Sequence, residues 1–369
     1  MKFNCSGLEL AQAASTVGKM LAGKSNIPIL DGINITAKGS EVMLSVFSQD
    51  VYIQKTIKAD VYSEGEIVVE GKIFIDYTNK IHNKEIVEVE VISKEKISIR
   101  FGYSDFEMQY FEKENFPALG EFSKEIYFEI KEKELKELIN RAIFCISENA
   151  ATRITLRSCS FSVMDGSVEA VCLDGFRVAI SKKQVESRKG NMNFILYGKY
   201  LQDLLKILSD TDQIISVSKE GGMIMFDFGH TKLKISTIDG EFYNYKTTLP
   251  VDVKNEITVK KDDITDCLER AIVVCRDAAY NKITITVEEM MMNLSTISEK
   301  GKINENIECV NKGEEIKFAV NCKFLLDAVS RIKEDYFKIL IERPAKPLLI
   351  KPMDDEEYKC IVLPLKLIG

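Results

Sequence analysis

The chain has no tryptophan, only two histidines and only seven prolines in 369 residues. With His82 and His230 alone available, a histidine-rich metal centre is not expected, and neither residue stands in a pattern that suggests a nucleophile triad. No apolar run approaches the roughly 18–20 residues of a membrane span, so no membrane partner is expected. The opening Met1-Lys2-Phe3-Asn4-Cys5-Ser6 lacks the apolar core of a secretory leader. Cys-x-x-Cys spacing is also missing. The nine cysteines are odd in number and scattered, which fits a reduced cytoplasmic compartment and service as small core residues. Neither a low-complexity linker nor any signal for a cofactor is found.

What is present describes a globular chain able to bury real cores, with 45% hydrophobic and 29% charged residues. Its length suits two or three domains. A net charge of −7 and a pI near 5.3 argue against a simple nucleic-acid wrapper, unless the two signs are segregated on the surface.

One lysine-aspartate spacing occurs three times, in Gly71-Lys72-Ile73-Phe74-Ile75-Asp76, Gly198-Lys199-Tyr200-Leu201-Gln202-Asp203 and Cys322-Lys323-Phe324-Leu325-Leu326-Asp327. The lysines recur about 125 residues apart, whereas solenoid units repeat at roughly 20–50, so the period marks whole domains. A second landmark keeps the same phase: strand-to-helix passages at Phe3–Leu10, Phe128–Leu135 and Ile257–Ile264. Leu135, Leu138, Ile139 and Ala142 share a helical face, as do Ile264, Leu268, Ala271 and Ile272. Alternation at Val87–Val91, Lys96–Arg100 and Lys232–Ile235 reads as strands. The expected fold is α+β: three tandem copies of two helices packed on antiparallel sheets, spanning residues 1–122, 123–252 and 253–369.

Gly18-Lys19-Met20-Leu21-Ala22-Gly23-Lys24-Ser25 matches the phosphate-binding loop G-x-x-x-x-G-K-[ST]. That chemistry needs a strand before the loop and a helix N-terminus after it. Here a helix precedes, Asn26-Ile27-Pro28 follows, and the other repeats carry no such loop, so a helix end is expected. The acidic runs Asp354-Asp355-Glu356-Glu357 and Glu288-Glu289 read as solvated turns. Leu173-Asp174-Gly175-Phe176-Arg177 reads as a hairpin. The apolar tail from Cys360 reads as a final core strand or an exposed lip for partners, with Pro364 favouring a sheet edge.

In order and spacing over essentially the whole chain, these segments resemble the bacterial DNA polymerase III beta subunit, the sliding-clamp family. The resemblance rests on Met1-Lys2-Phe3, Ile27-Pro28-Ile29-Leu30, Asn115-Phe116-Pro117-Ala118-Leu119, Leu173-Asp174-Gly175-Phe176-Arg177, Asp239-Gly240-Glu241-Phe242, Leu249-Pro250 and Leu363-Pro364-Leu365-Lys366-Leu367. It implies a non-catalytic processivity factor of a DNA-directed DNA polymerase: a head-to-tail homodimer, six domains in a ring, encircling duplex DNA without reading sequence. Lys24, Lys72, Asn149, Lys199 and Lys323 would face the DNA, with Lys80, Lys206 and Arg331 as further possibilities.

The family's partner cleft, carried over position by position, comprises Leu156, Leu173, Gly175, Phe176, Arg177, Val178, Tyr243, Thr247, Thr248, Asn321, Phe324, Leu363, Pro364, Leu365 and Lys366. It would accept short hydrophobic peptides of the replicative polymerase alpha subunit, the clamp loader, repair polymerases and mismatch-repair proteins, with Arg177 and Asn321 holding the peptide backbone. Phe176, Tyr243 and Thr247 depart from the family's usual histidine, proline and arginine. Ring closure would set Phe106 and Met108 against Val273 and Val274 of a second copy. Two other readings stand beside it: a phosphate-loop NTPase using Lys24 and Ser25, and a multidomain peptide-binding adaptor that does not encircle DNA.

Overall fold

The computed structural model describes residues 1–21, 27–81, 85–112, 116–117, 125–149, 151–276 and 279–367. The chain packs as two compact units. The first holds Met1–Lys136, Val185–Gly190 and Lys199–Ile238; the second holds Glu137–Gln184, Asn191–Gly198 and Asp239–Gly369.

The repeat begins each time with a strand running directly into a helix. Lys2–Ser6 leads to α1 (Gly7–Gly18), Ile126–Lys131 to α3 (Glu132–Ile143), and Asn255–Lys260 to α5 (Lys261–Cys275). The anchors Phe3, Phe128 and Ile257 are buried, and so are Leu10, Leu135 and Ile264 one helical turn on. The lysine-aspartate segments form the second helix of each copy: α2 (Gly71–Thr78), α4 (Gly198–Leu205) and α6 (Cys322–Val329). Side chains close two of these helix starts. Glu70 accepts from the Ile73 amide at 2.6 Å, and Asn321 from the Phe324 amide at 3.1 Å.

Glycine opens the first two because the backbone is crowded there. A Cβ on Gly71 would come within 2.8 Å of the Asp31 carbonyl oxygen, and one on Gly198 within 2.8 Å of that of Arg157. The third copy carries Cys322 instead, fully buried, its thiol donating to the Leu268 carbonyl at 3.4 Å. All nine cysteines are free and buried.

Each unit has one large antiparallel sheet, with 13 strands in the first and 12 in the second. In the first, Val51–Ser63 pairs with Thr231–Ser236, Val51 opposite Ile235 and Lys55 opposite Thr231. In the second, Arg177–Gln184 pairs with Tyr358–Val362, Arg177 opposite Val362 and Ser181 opposite Tyr358. The middle third of the chain is therefore shared: one of its sheets continues into the N-terminal third, the other into the C-terminal third. Each of these two ladders joins neighbouring copies of the repeat.

Among the strands that keep an open side are Ser104–Phe111 and Gly301–Lys312. Ser104–Phe111 pairs with Lys96–Phe101, but on its other side only Tyr110 and Phe111 find partners, Val69 and Val68. Gly301–Lys312 pairs with Met291–Ser298, yet on its other side pairing starts only at Cys309, opposite Val259.

Two expectations need correction. The strand Tyr358–Val362 lies inside its sheet, between Leu348–Pro352 and Arg177–Gln184, and Pro364 follows it without interrupting it. The acidic run before it is not merely solvated: Asp355 pairs with Arg141 at 2.7 Å, and Glu357 with Lys183. The residues up to Gly18 are helical, so no strand precedes the phosphate-loop match, and Ala22 to Asn26 lie outside the described residues.

Candidate functional site

The turn between Ser167–Leu173 and Arg177–Gln184 is built by one aspartate. Asp174 accepts from the Phe176 amide at 2.9 Å, the Arg177 amide at 3.0 Å and Arg177 Nε at 2.9 Å. Gly175 takes φ +94°, which a side chain would resist. The result thrusts Phe176 into solvent, 55% exposed, while the next residue turns inward. Arg177 is 8% exposed; its Nη1 donates to Asp327 at 2.6 Å and its Nη2 to the Phe144 carbonyl at 2.9 Å. Its guanidinium lies 4.3 Å over the Phe324 ring.

Beneath this turn lies an apolar cleft of about 260 Å³. Leu173, Val178 and Ile361 belong to a buried cluster with Val171, Ile180 and Leu349, and Leu156, Phe242, Tyr245 and Leu249 pack against it. Phe176, Tyr243 and Leu363 stand at the cleft with much of their surface in water. Tyr245 anchors one wall by donating its hydroxyl to Glu169; burial, reinforced by that carboxylate, pushes its phenol well above the usual range.

Nine of the sequence-derived cleft residues line this space: Leu156, Leu173, Gly175, Phe176, Arg177, Val178, Tyr243, Thr248 and Leu363. The others surround it or serve elsewhere. Thr247 is exposed and donates to the Asn244 carbonyl. Phe324 sits 6.3 Å from Phe176. The tail is pinned by the Leu363 amide on the Phe176 carbonyl at 2.9 Å and the Leu365 amide on the Ala319 carbonyl at 2.7 Å. Pro364 lies between those two bonds, and the Lys366 carbonyl accepts from Lys282 Nζ. The two side chains expected to hold a peptide backbone are engaged internally, Arg177 with two carboxylates and a carbonyl, Asn321 as the cap of α6. Ile361 was missed by sequence reasoning. Strand alternation with Leu363 would have found it, had the tail been read as a strand from Tyr358.

Lys72, Lys199 and Lys323 are each the second residue of their helix and each exposed. Asn149 is exposed and folds back to accept from the Ala151 amide at 2.9 Å. Lys80 is exposed, whereas Lys206 pairs with Asp203 at 2.7 Å and Arg331 donates to Asn140 at 3.1 Å. Lys24 lies outside the described residues. In the first unit Phe106 is half-buried, its ring stacked 4.1 Å from Tyr77, and Met108 is buried. In the second, Val273 is 70% exposed, and Val274 is half-buried with its carbonyl accepting from Ser298.

Three family models match the chain in order. They describe the DNA polymerase III beta subunit: its N-terminal domain over residues 1–120, its central domain over 129–244 and its C-terminal domain over 246–366. The beta sliding clamp of Staphylococcus epidermidis is 26% identical over 358 residues, 94% of either chain. Among solved structures, a DNA polymerase sliding clamp from Bacillus subtilis superposes with a TM-score of 0.95 at 24% identity, and the DNA polymerase III beta subunit from Thermotoga maritima with 0.92 at 23%. Both comparisons cover 100% of each chain.

Proposed function

Because the chain belongs to the DNA polymerase III beta subunit family, we propose that it works as a sliding clamp: a processivity factor whose closed ring surrounds duplex DNA and tethers a polymerase. The observation that carries this reading is the pair of open strand edges. Val51–Ser63 and Arg177–Gln184, matching strands of the first and second copies, each take the last strand of the following copy's sheet: Thr231–Ser236 and Tyr358–Val362. The matching strand of the third copy, Gly301–Lys312, has no such partner among the described residues, and Ser104–Phe111 of the first copy has not been taken. A second chain satisfies both edges head to tail, and two identical contacts then close the ring. Carrying over the internal register sets Phe106 opposite Ile303 and Glu107 opposite Lys302 of the second chain.

The lysines support a DNA-lined interior. A cation in the first turn of a helix opposes the helix dipole, by about 0.3–1 kcal/mol each, yet the position is lysine three times. Phosphates recover that cost without reading bases, and an acidic remainder keeps DNA off the outside. Loose, hydrated contacts permit sliding, while retention comes from topology.

The cleft suits a short peptide with a leucine or phenylalanine anchor, its apolar side chain packed among Phe176, Tyr243 and Leu363. Such peptides would come from the replicative polymerase alpha subunit, the clamp loader, repair polymerases and mismatch-repair proteins. Nucleotidyl transfer belongs to the partner, and the clamp works in the cytoplasm on nucleoid DNA. Loading the protein onto nicked circular DNA and then cutting the circle tests the ring. A clamp escapes only when ends appear; an adaptor that does not encircle DNA leaves at the same rate from circle and line.

A further inference from the structure

The two units contain the same junction, and only one of them is filled. In the second unit Glu137 of α3 pairs with Arg141 at 3.1 Å, Lys183 at 3.1 Å and Lys333 at 2.8 Å. Arg141 reaches on to Asp355 and Lys183 to Glu357, so three carboxylates and three cations close the space. Matching positions in the first unit follow from equivalent bonds: the Thr56 amide donates to the His230 carbonyl at 2.8 Å, as the Lys182 amide does to that of Glu357 at 2.7 Å. The carboxylates Glu137, Asp355 and Glu357 thereby correspond to Gln12, Phe228 and His230. The cations Arg141, Lys183 and Lys333 correspond to Thr16, Ile57 and Ser209.

None of those six is a carboxylate or a lysine or arginine, and a cavity of about 500 Å³ opens where the ion cluster would be. Lys55 projects into it. The side chain is half-buried, and among the described residues its ammonium makes one hydrogen bond, a long one of 3.4 Å to the Thr16 hydroxyl. Burial pulls its pKa down, against a weaker upward pull from Glu9, an exposed carboxylate at the rim of the same cavity. Glu132 also borders the cavity, but its oxygens already accept from the Ser209 amide at 2.8 Å and from the Thr211 hydroxyl. Among the described residues Lys55 thus forms no ion pair, in a space of the size that small ligands occupy.

We infer that this cavity binds a small oxyanion, a low-molecular-weight carboxylate or phosphate, whose oxygens accept from Lys55 and whose charge stands in for the carboxylates of the second unit. The inference needs neither DNA nor a second chain, so it survives or fails apart from the clamp reading. Calorimetric titration of the intact chain with sodium phosphate and, separately, sodium succinate tests it, at fixed ionic strength against a chloride blank. Saturable binding of at least one probe is expected, and which probe binds tells phosphate from carboxylate. Lys55→Met should weaken it at least tenfold. Gln12→Glu, which places in the cavity the carboxylate the second unit carries at Glu137, should do the same. Circular dichroism identifies which variants fold, and if Lys55→Met does not, the Gln12→Glu arm decides. No saturable heat with either probe, or undiminished affinity in a folded variant, overturns the proposal.

Discussion

Arg177 donates to the Asp327 carboxylate at 2.6 Å, binding the turn after Leu173 to the helix opened by Cys322. Asp327 is the third copy's member of the repeated lysine-aspartate spacing, here engaged by an arginine of the second copy. Asp327→Ala leaves a buried guanidinium with Asp174 as its one carboxylate. Urea denaturation should show a loss on the order of 3 kcal/mol, as for a broken buried pair. A loss under about 1 kcal/mol would mean that the pair behaves like a surface contact.

Acid should loosen the second unit through Glu137. Burial opposes its charge, but Lys333, Arg141 and Lys183 outweigh that and hold its carboxyl below the ordinary 4.5. A carboxylate depressed in the folded state stabilises fully above its unfolded value, and the contribution disappears as pH falls through the folded one. Melting temperature should therefore fall more steeply below pH 4.5 in the wild type than in Glu137→Gln. Parallel curves for the two proteins would mean that Glu137 has no part in the acid sensitivity.

Removing residues from Leu363 onward takes away the Leu363 wall and the two backbone bonds that pin the tail. Polymerase-derived peptide should then bind at least tenfold more weakly, while the dimer mass is unchanged. Full peptide affinity in the truncated protein would place the peptide site elsewhere.

For DNA, Lys72, Lys199 and Lys323 replaced together by alanine should lessen the salt dependence of loading, by about one unit of log–log slope for each phosphate that is no longer neutralised. An unaltered slope would exclude all three.

Ring closure makes a charge prediction of its own. Glu107 and Lys302 are exposed, and the internal register sets them opposite each other across two chains. Either Glu107→Lys or Lys302→Glu should weaken self-association several-fold, and the two together should restore it. Sedimentation of the three variants measures this; a double variant as weak as the singles would refute the register.

Local pattern made much of this architecture legible. Apolar faces at helical spacing and the lysine-aspartate phase are set by neighbours in sequence, so Leu135, Ile264 and Leu268 could be assigned to buried faces in advance. The Asp-Gly hairpin was legible for the same reason. Long-range pairing was not. Nothing around Val51 announces Ile235 as its partner, and nothing around Arg177 announces Asp327. Composition misled at Asp355 and Glu357, because an acidic run looks solvated until the cations of another element are known. The tail misled through Pro364, whose strand had already ended at Val362.

The interior position of Tyr358–Val362 bears on how the molecule is made. Of all the strands in the second unit's sheet, this one leaves the ribosome last, yet it is the seam between Arg177–Gln184 and Leu348–Pro352. Until it is synthesised, the sheet exists as two pieces with unsatisfied edges facing each other. The nascent chain must carry those edges without pairing them to a neighbour, so the window for misassembly stays open until this strand has emerged.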